Sequence, residues 1–275
     1  MDVSFATTAA SADRDNEDFF GTGPQVAVLL DGAGTPSGAE DGCSHGVAWF
    51  AGQLGFRCLA VAGVNEDLPL VEVLGQSIEE VARLHARTCD LTHPGSPSST
   101  VILIRQDLSG LEYLVLADSV LVVHGEAGTT AITDDRETTF ADRYRPALDV
   151  LGESGEKHDG AIETFVETLR DYRNRDGGFW VASSDPEAAK QSLTGHVKPE
   201  DAQVVALLSD GASRPVDRFG LATWDQAIAA LQARGPGEWL RTVRSAELDD
   251  PHAQRWPRTK IHDDATVAIA VPDWS

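Results

Sequence analysis

Two apolar runs in this chain each end on an aspartate followed by glycine, and they constrain the fold more than any other feature. The first is Val26-Ala27-Val28-Leu29-Leu30 before Asp31-Gly32-Ala33-Gly34. The second is Val204-Val205-Ala206-Leu207-Leu208 before Ser209-Asp210-Gly211. Runs this short, with no polar alternation, read as strands buried on both faces. The glycines permit a sharp exit and a close approach of backbone. Each run therefore holds a carboxylate where the core meets solvent. A single Asp-Gly after a strand usually makes only a turn; the recurrence of the pattern gives it weight.

The chain has 275 residues, 41% hydrophobic and 24% charged. That is ample to bury a core, and it reads as one domain over residues 1–275. There are 44 acidic and 22 basic residues, a formal net charge of -22. Such a field repels nucleic acid and anionic membrane surfaces and suits cation binding, although most of the acids serve solubility. Cys43, Cys58 and Cys89 are odd in number and widely spaced, with no CxxC pair. The expectation is neither a zinc site nor a disulfide framework, and three free thiols fit a reducing cytoplasm. The start, Met1-Asp2-Val3-Ser4, lacks the basic and apolar segments of a secretory signal. No run approaches the ~20 apolar residues of a membrane helix. The expected location is cytoplasmic.

Along the chain, Val3 to Thr8 reads as a first strand, followed by a loop dense in carboxylates from Ser11 to Asp18. Phe19-Phe20 leads through a turn into the first acid-tipped strand. Ser44 is an expected N-cap for a helix with Val47, Phe50, Ala51 and Leu54 on its apolar face. A second helix starts near Pro69, with Leu70, Val73, Leu74, Ile78, Val81 and Leu84 as its stripe; His85 continues it as a partly buried structural histidine. The period then changes. Thr100 to Arg105, Glu112 to Leu116, Val120 to His124 and Thr129 to Thr133 read as strands. Their short links favour an antiparallel meander, with Asp118 at one hairpin tip. Helical patterns return over Arg143 to Leu151 and Gly160 to Tyr172. A strand is expected at Phe179 to Ala182 and a short helix at Pro186 to Lys190. Thr223 and Gln226 form a capping box, Pro236 opens another helix, and Ala265 to Val271 is the last strand. Strands, then helices, then strands in this order indicate an α+β chain with antiparallel sheets covered by helices.

Four acidic motifs flank apolar segments: Asn16-Glu17-Asp18, Asp31-Gly32, Asp210-Gly211 and Asp263-Asp264. If the strands are neighbours, the acids converge. Clustered carboxylates repel, so a shared site needs protons or cations. Oxygen ligands without clustered His or Cys favour Mg²⁺ or Mn²⁺ over Zn²⁺. Two such ions can generate hydroxide and clamp an in-line displacement at phosphorus.

In order and spacing, the motifs NED, LLDGAG, SST, ADS, LSDG and DDATVAIA resemble the PP2C (PPM) family of metal-dependent protein serine/threonine phosphatases, from about Asn16 to Val271. The resemblance implies an α-β-β-α sandwich of two antiparallel sheets flanked by helices, with a Mn²⁺ or Mg²⁺ pair between the sheets. It implies that Asp31 bridges both ions and that the Gly32 carbonyl binds one. Asp210 and Asp263 would complete the first ion's shell. Glu17 would serve the second ion, with Asp18 holding its waters. Asp118 is the candidate for a third, weaker ion. Asp264 is a less certain ligand than Asp263, and Ser99-Thr100 is structural. The implied substrate is a phosphorylated protein, with no nucleic acid or membrane partner.

The chain departs from the family at the groups that handle phosphate. An Arg often stands four residues before the Glu of the first motif; here Asp13 does, and either Arg14 serves instead or that clamp is absent. Ala33 stands where some members have a general-acid His. Catalytic candidates are therefore Asp31, Arg14 and His45, the last as a replacement acid or phosphate contact, with a surface or capping histidine as the plainer reading. Arg255, Arg258 and Lys260, in a cationic loop before Asp263, are candidates for phosphate affinity or for balancing nearby acids. The segment 212–260 is a candidate flap. The leading function is hydrolysis of phosphoserine or phosphothreonine. A regulatory pseudophosphatase that binds a phosphoprotein, and a small-molecule phosphate ester hydrolase, are the alternatives.

Overall fold

The computed structural model describes residues 1–34, 42–140, 171–258 and 260–274. The helical patterns expected over 143–151 and 160–170 lie outside these residues. Two five-stranded antiparallel sheets stack face to face. One has the order β1-β12-β11-β8-β9, made of Asp2–Thr8, Ala265–Val271, Val204–Leu208, Val120–Gly125 and Gly128–Ile132. The other runs β10-β7-β6-β3-β2, made of Leu193–Val197, Gly110–Leu116, Val101–Asp107, Val26–Leu30 and Phe19–Thr22. A two-residue pair, β4 (Gly32–Ala33) with β5 (Ser98–Ser99), follows the exit of β3. Helices α1 (Val47–Val64) and α2 (Leu70–His85) cover the second sheet. Helices α3 (Asp210–Asp217), α4 (Trp224–Arg234) and α5 (Pro236–Asp249) cover the first. This is an α-β-β-α sandwich, as expected.

The two acid-tipped strands are apolar on both sides because they lie between layers. Successive side chains of a strand face opposite ways. Val26, Val28 and Leu30 face Phe50, Leu54, Val73 and Ile78 of α1 and α2. Ala27 and Leu29 face the other sheet, where they meet Leu121, Val205 and Leu207. Likewise Val204, Ala206 and Leu208 turn outward to Ile228, Leu231, Trp239 and Val243. By length and composition α1 could cross a membrane, but Phe50, Leu54 and Cys58 are sealed in the core beside β3 and α2. It is a core helix. The remaining described helices do not meet that length and composition.

Several local expectations are corrected. Ala117-Asp118-Ser119 is no hairpin tip: β7 pairs with β6 and β8 with β9, so this link carries the chain from one sheet to the other. The reversal is made by Ala117 at φ 67, a left-handed conformation uncommon for a non-glycine residue. Ser44 does not cap α1; Gly46 precedes the helix with no side-chain bond. Phe179 and Ala182 form isolated bridges rather than a strand. Phe19–Thr22 is a strand, not only a lead-in, because it pairs with β3. The edge strand β10 and helix α3 carry too little apolar periodicity to announce themselves; Gly211 and Pro215 interrupt α3. The capping box at Thr223 and Gln226 is present. Residues 212–249 mostly form the helical layer on the first sheet, with Ala212, Ile228 and Trp239 in its core, rather than a flap.

Candidate functional site

The exits of β3 and β11 meet at one end of the sandwich, beside the link that carries Asp118. Asp31 is fixed through its backbone. Its N–H donates to Thr100 Oγ1 at 3.2 Å, and its carbonyl accepts from Thr100 N at 2.9 Å and Ser99 Oγ at 2.9 Å. Thr100 Oγ1 also lies 2.6 Å from Ser119 Oγ. The Ser99-Thr100 pair thus ties Asp31 to the crossover of Asp118. The first amide of α3, Asp210 N, donates to Asp31 Oδ2 at 3.2 Å, an arrangement the helix dipole favours. Gly32 admits no side chain here: a Cβ would lie 2.5 Å from the Glu17 carbonyl. Gly211 is tighter still, at 2.0 Å from the Asp264 carbonyl.

A cavity of about 340 Å³ opens at this junction. Its wall includes Asp31, Gly32, Asp118, Asp210 and Asp263, together with Glu137, Arg173, Arg214, Arg258 and Lys260. Burial pushes the Asp31 carboxyl well above its ordinary value, and Asp18, Asp210 and Asp263 push it further. Asp118 moves the same way, by burial and then by Glu137 and Asp210. Asp263 is also raised, by burial and then Asp210, with Lys260 and Arg214 opposing. Behind the cavity, Asp18 is pushed up to about 7 by burial, with Asp210 and Asp264 adding and the nearby Thr266 and Ser209 hydroxyls opposing. Both Asp18 carboxylate oxygens are shut from solvent. Burial also raises Glu17, tempered by Arg14 and Lys260.

The cations divide unevenly. Lys260 Nζ holds Asp263 Oδ1 at 2.8 Å, and Arg214 Nη2 holds Asp263 Oδ2 at 3.0 Å. Burial works against the Lys260 ammonium, yet Asp263 and Asp210 keep its pKa above the ordinary lysine value. The other arm of Arg214 pairs with the buried Glu247. Arg258 reaches the wall but is engaged by Asp250 and by the Trp256 and Ile261 carbonyls. Arg255 lies outside the wall, over the Trp256 ring. Arg173 is held by Ser98 Oγ and the Pro94 carbonyl.

The sequence-derived candidates therefore fall in three groups. Asp31, Gly32, Asp118, Asp210 and Asp263 share the cavity, with Asp18 electrostatically coupled to Asp31. Glu17 lies beside them without lining the wall, and Asp264 turns away. Its carboxylate accepts from Ala10 N at 2.7 Å and Glu17 N at 2.8 Å, and so anchors the loop that presents Glu17 and Asp18. Arg14 and His45 do not line the cavity. Arg14 is an exposed partner of Glu17 at 3.6 Å, and His45 stacks on Trp49 in a separate cluster. Glu137 and Arg173 were missed. Glu137 is pushed up to about 7 by burial and then Asp210. Its only sequence signal is an acid shortly after a strand, in Thr133-Asp134-Asp135-Arg136-Glu137.

The oxygen donors fit divalent cations. Burying mutually repelling carboxylates is costly without protons or counter-ions, and both Asp18 oxygens are shut from solvent.

No protein-family model matches the chain, and no curated protein matches it. Solved structures do. One is the catalytic domain of the serine/threonine protein phosphatase PstP with two manganese ions, 16% identical over 98% of this chain and 97% of that one, with a TM-score of 0.57. Another is the PPM Ser-Thr phosphatase MsPP from Mycobacterium smegmatis in complex with cacodylate, 15% identical over 98% and 97%, with a TM-score of 0.59. A third is the serine/threonine phosphatase Stp1 from Staphylococcus aureus, 14% identical over 98% and 94%, with a TM-score of 0.56. The described residues have the fold of the bacterial PP2C (PPM) phosphatases.

Proposed function

We propose that this chain is a divergent PP2C-type phosphatase that hydrolyses phosphoserine or phosphothreonine in proteins, using Mn²⁺ or Mg²⁺. The observation that carries the reading is the half-buried group Asp18, Asp31, Asp118 and Asp210, whose desolvation and mutual repulsion raise Asp31 and Asp118 while the cations Lys260 and Arg214 attach instead to Asp263. Asp31, the Gly32 carbonyl, Asp210 and Asp263 would hold a first ion, and Asp31, Glu17 and Asp18 a second. Asp118 with Glu137 offers oxygens for a third. Bound there, such ions supply an activated water and charge for an in-line displacement at phosphorus. The chain itself contributes alignment: Thr100 and the amide of Asp210 fix Asp31, and Arg173 presents a guanidinium at the cavity wall to orient a phosphate.

One observation favours a second reading, a pseudophosphatase that binds a phosphoprotein. Both oxygens of Asp263 are already taken by Lys260 and Arg214, and Ala33 brings no proton donor to the turn. One assay separates the two. Hydrolysis of p-nitrophenyl phosphate and of a phosphothreonine peptide is measured with Mn²⁺, with EDTA, and in Asp31→Asn and Asp210→Asn. The phosphatase reading expects Mn²⁺-dependent turnover of both substrates, lost in EDTA and reduced by about 100-fold or more in each variant. No turnover with any divalent metal, while the phosphopeptide still binds, would establish the second reading instead. Turnover of the small ester alone would point to a small-molecule substrate.

A further inference from the structure

Away from the acidic cavity, four soft donors meet between the start of α1 and the end of α2. Cys43 and His45 stand on the segment entering α1; His85 is the last residue of α2, and Cys89 lies one turn beyond. Their donor atoms all lie within 4.8 Å of one another. Cys43 Sγ is 3.8 Å from His45 Nδ1 and 3.5 Å from His85 Nδ1. Cys89 Sγ is 3.3 Å from His45 Nδ1 and 3.5 Å from Cys43 Sγ. The two sulfurs are therefore not disulfide-bonded.

These separations have a chemical meaning. Tetrahedral zinc binds thiolate sulfur at about 2.3 Å and imidazole nitrogen at about 2.0–2.1 Å, which makes the edges of such a tetrahedron roughly 3.3–3.8 Å long. Four of the six edges fall in that range, and the other two are no longer than 4.8 Å. The donor set is also complementary to that of the acidic cavity. Two thiols and two imidazoles select zinc, whereas carboxylates and carbonyls select magnesium or manganese. Four protein donors leave no open position, which is the mark of a structural rather than a catalytic site.

The geometry points to a structural zinc site formed by Cys43, His45, His85 and Cys89, separate from the phosphate-handling cavity. It departs from the expectation of no zinc site, which rested on the absence of CxxC. The pairs are Cys-x-His and His-x₃-Cys, far apart in sequence and joined only by the packing of α1 on α2. The surroundings are built for it. His85 is buried, and its Nε2 has no hydrogen-bond partner, so the ring is held by packing against Trp49 at 5.1 Å. Trp49 also stacks on His45 at 4.3 Å. Cys43 is buried, Cys89 partly so, and His45 exposed, which leaves one side open for the ion to enter. Asp90 N donates to the Gly42 carbonyl at 2.8 Å and stitches the two segments together. The clip would thus fix the loop running from Cys89 to Ser98, whose hydroxyl donates to the Ala33 carbonyl at 3.2 Å, next to the turn of Asp31.

Zinc content and Co²⁺ spectra of the full chain test this. The chain, purified without chelator and dialysed, should retain about one zinc, as expected for a four-ligand structural site. Replacement by Co²⁺ should give the intense visible bands of a tetrahedral complex and a thiolate-to-cobalt charge-transfer band. Cys43→Ser and Cys89→Ser should lose the charge-transfer intensity stepwise. His45→Ala, an exposed position whose folding is checked by circular dichroism, should weaken retention at least tenfold. Asp31→Asn should leave the retained zinc and the thiolate-to-cobalt charge-transfer band unchanged, since that band reports only the sulfur ligands. The inference is overturned by zinc well below stoichiometry after loading, by an octahedral cobalt spectrum, or by spectra indifferent to the Cys and His45 substitutions. A Cys43–Cys89 disulfide found by mass spectrometry in freshly purified protein would also overturn it.

Discussion

Replacing Asp18 by asparagine should stabilise the metal-free protein above neutral pH and leave it unchanged in acid. The Asp18 oxygens are shut from water; the Thr266 and Ser209 hydroxyls favour its charge, and Asp210 and Asp264 oppose it. Its pKa rises from 3.8 to about 7, chiefly by burial. A group whose folded pKa is raised binds an extra proton in the folded state between the two values, so stability is complete below the lower value and is lost as pH climbs through the upper one. At 1.36 kcal/mol per unit, the loss is on the order of 4 kcal/mol once pH exceeds 7. Asparagine carries no such charge. In EDTA, urea denaturation should therefore show the variant and the parent converging near pH 4. Between pH 5 and pH 8 the variant should gain about 3 kcal/mol on the parent. Adding Mn²⁺ at pH 8 should restore much of the parent's deficit and give the variant less. Parallel pH profiles in EDTA, or a variant less stable than the parent at pH 8, would refute the account of Asp18 as a charge waiting for a cation.

Two further outcomes follow from the same geometry. Lys260→Met frees Asp263 Oδ1 from its 2.8 Å ammonium partner, so calorimetric titration should show tighter Mn²⁺ binding; equal or weaker affinity would mean that Lys260 does not compete with the ion. Gly211→Ala drives a Cβ to within 2.0 Å of the Asp264 carbonyl and should cost at least about 1–3 kcal/mol in denaturant, whereas Gly237→Ala in α5, with nothing within 4 Å, should be neutral or stabilising by up to about 1 kcal/mol.

What the sequence revealed and what it hid divide by the range over which each signal acts. The cover on both faces of Val26–Leu30 and Val204–Leu208 was readable because burial on two sides leaves an uninterrupted apolar run. The convergence of Asp31 and Asp210 followed, since both strands are interior to their sheets and exit at the same end. Local capping at Thr223 was readable for the same reason: its partner is three residues away. Asp118 was placed on the wrong kind of link because a short polar link looks alike whether it closes a hairpin or crosses between sheets. Only the pairing of β7 with β6 and of β8 with β11 decides it.

The soft-donor cluster lies at the far end of that scale. Cys43 and Cys89 are separated by two helices, and no spacing rule in one dimension joins them. What joins them is the apolar stripe of α2, whose Val73, Leu74, Ile78 and Val81 lock it beside α1. The stripe ends at His85 and so delivers its imidazole to Cys43. His85 was therefore correctly read as continuing the buried face of a helix. The same periodicity that made it look structural is what carries it to the thiols. In this chain the two donor sets are thus positioned by different devices: the oxygen donors by strand ends, whose pattern is visible in the sequence, and the sulfur and nitrogen donors by helix packing, whose consequences appear only in three dimensions.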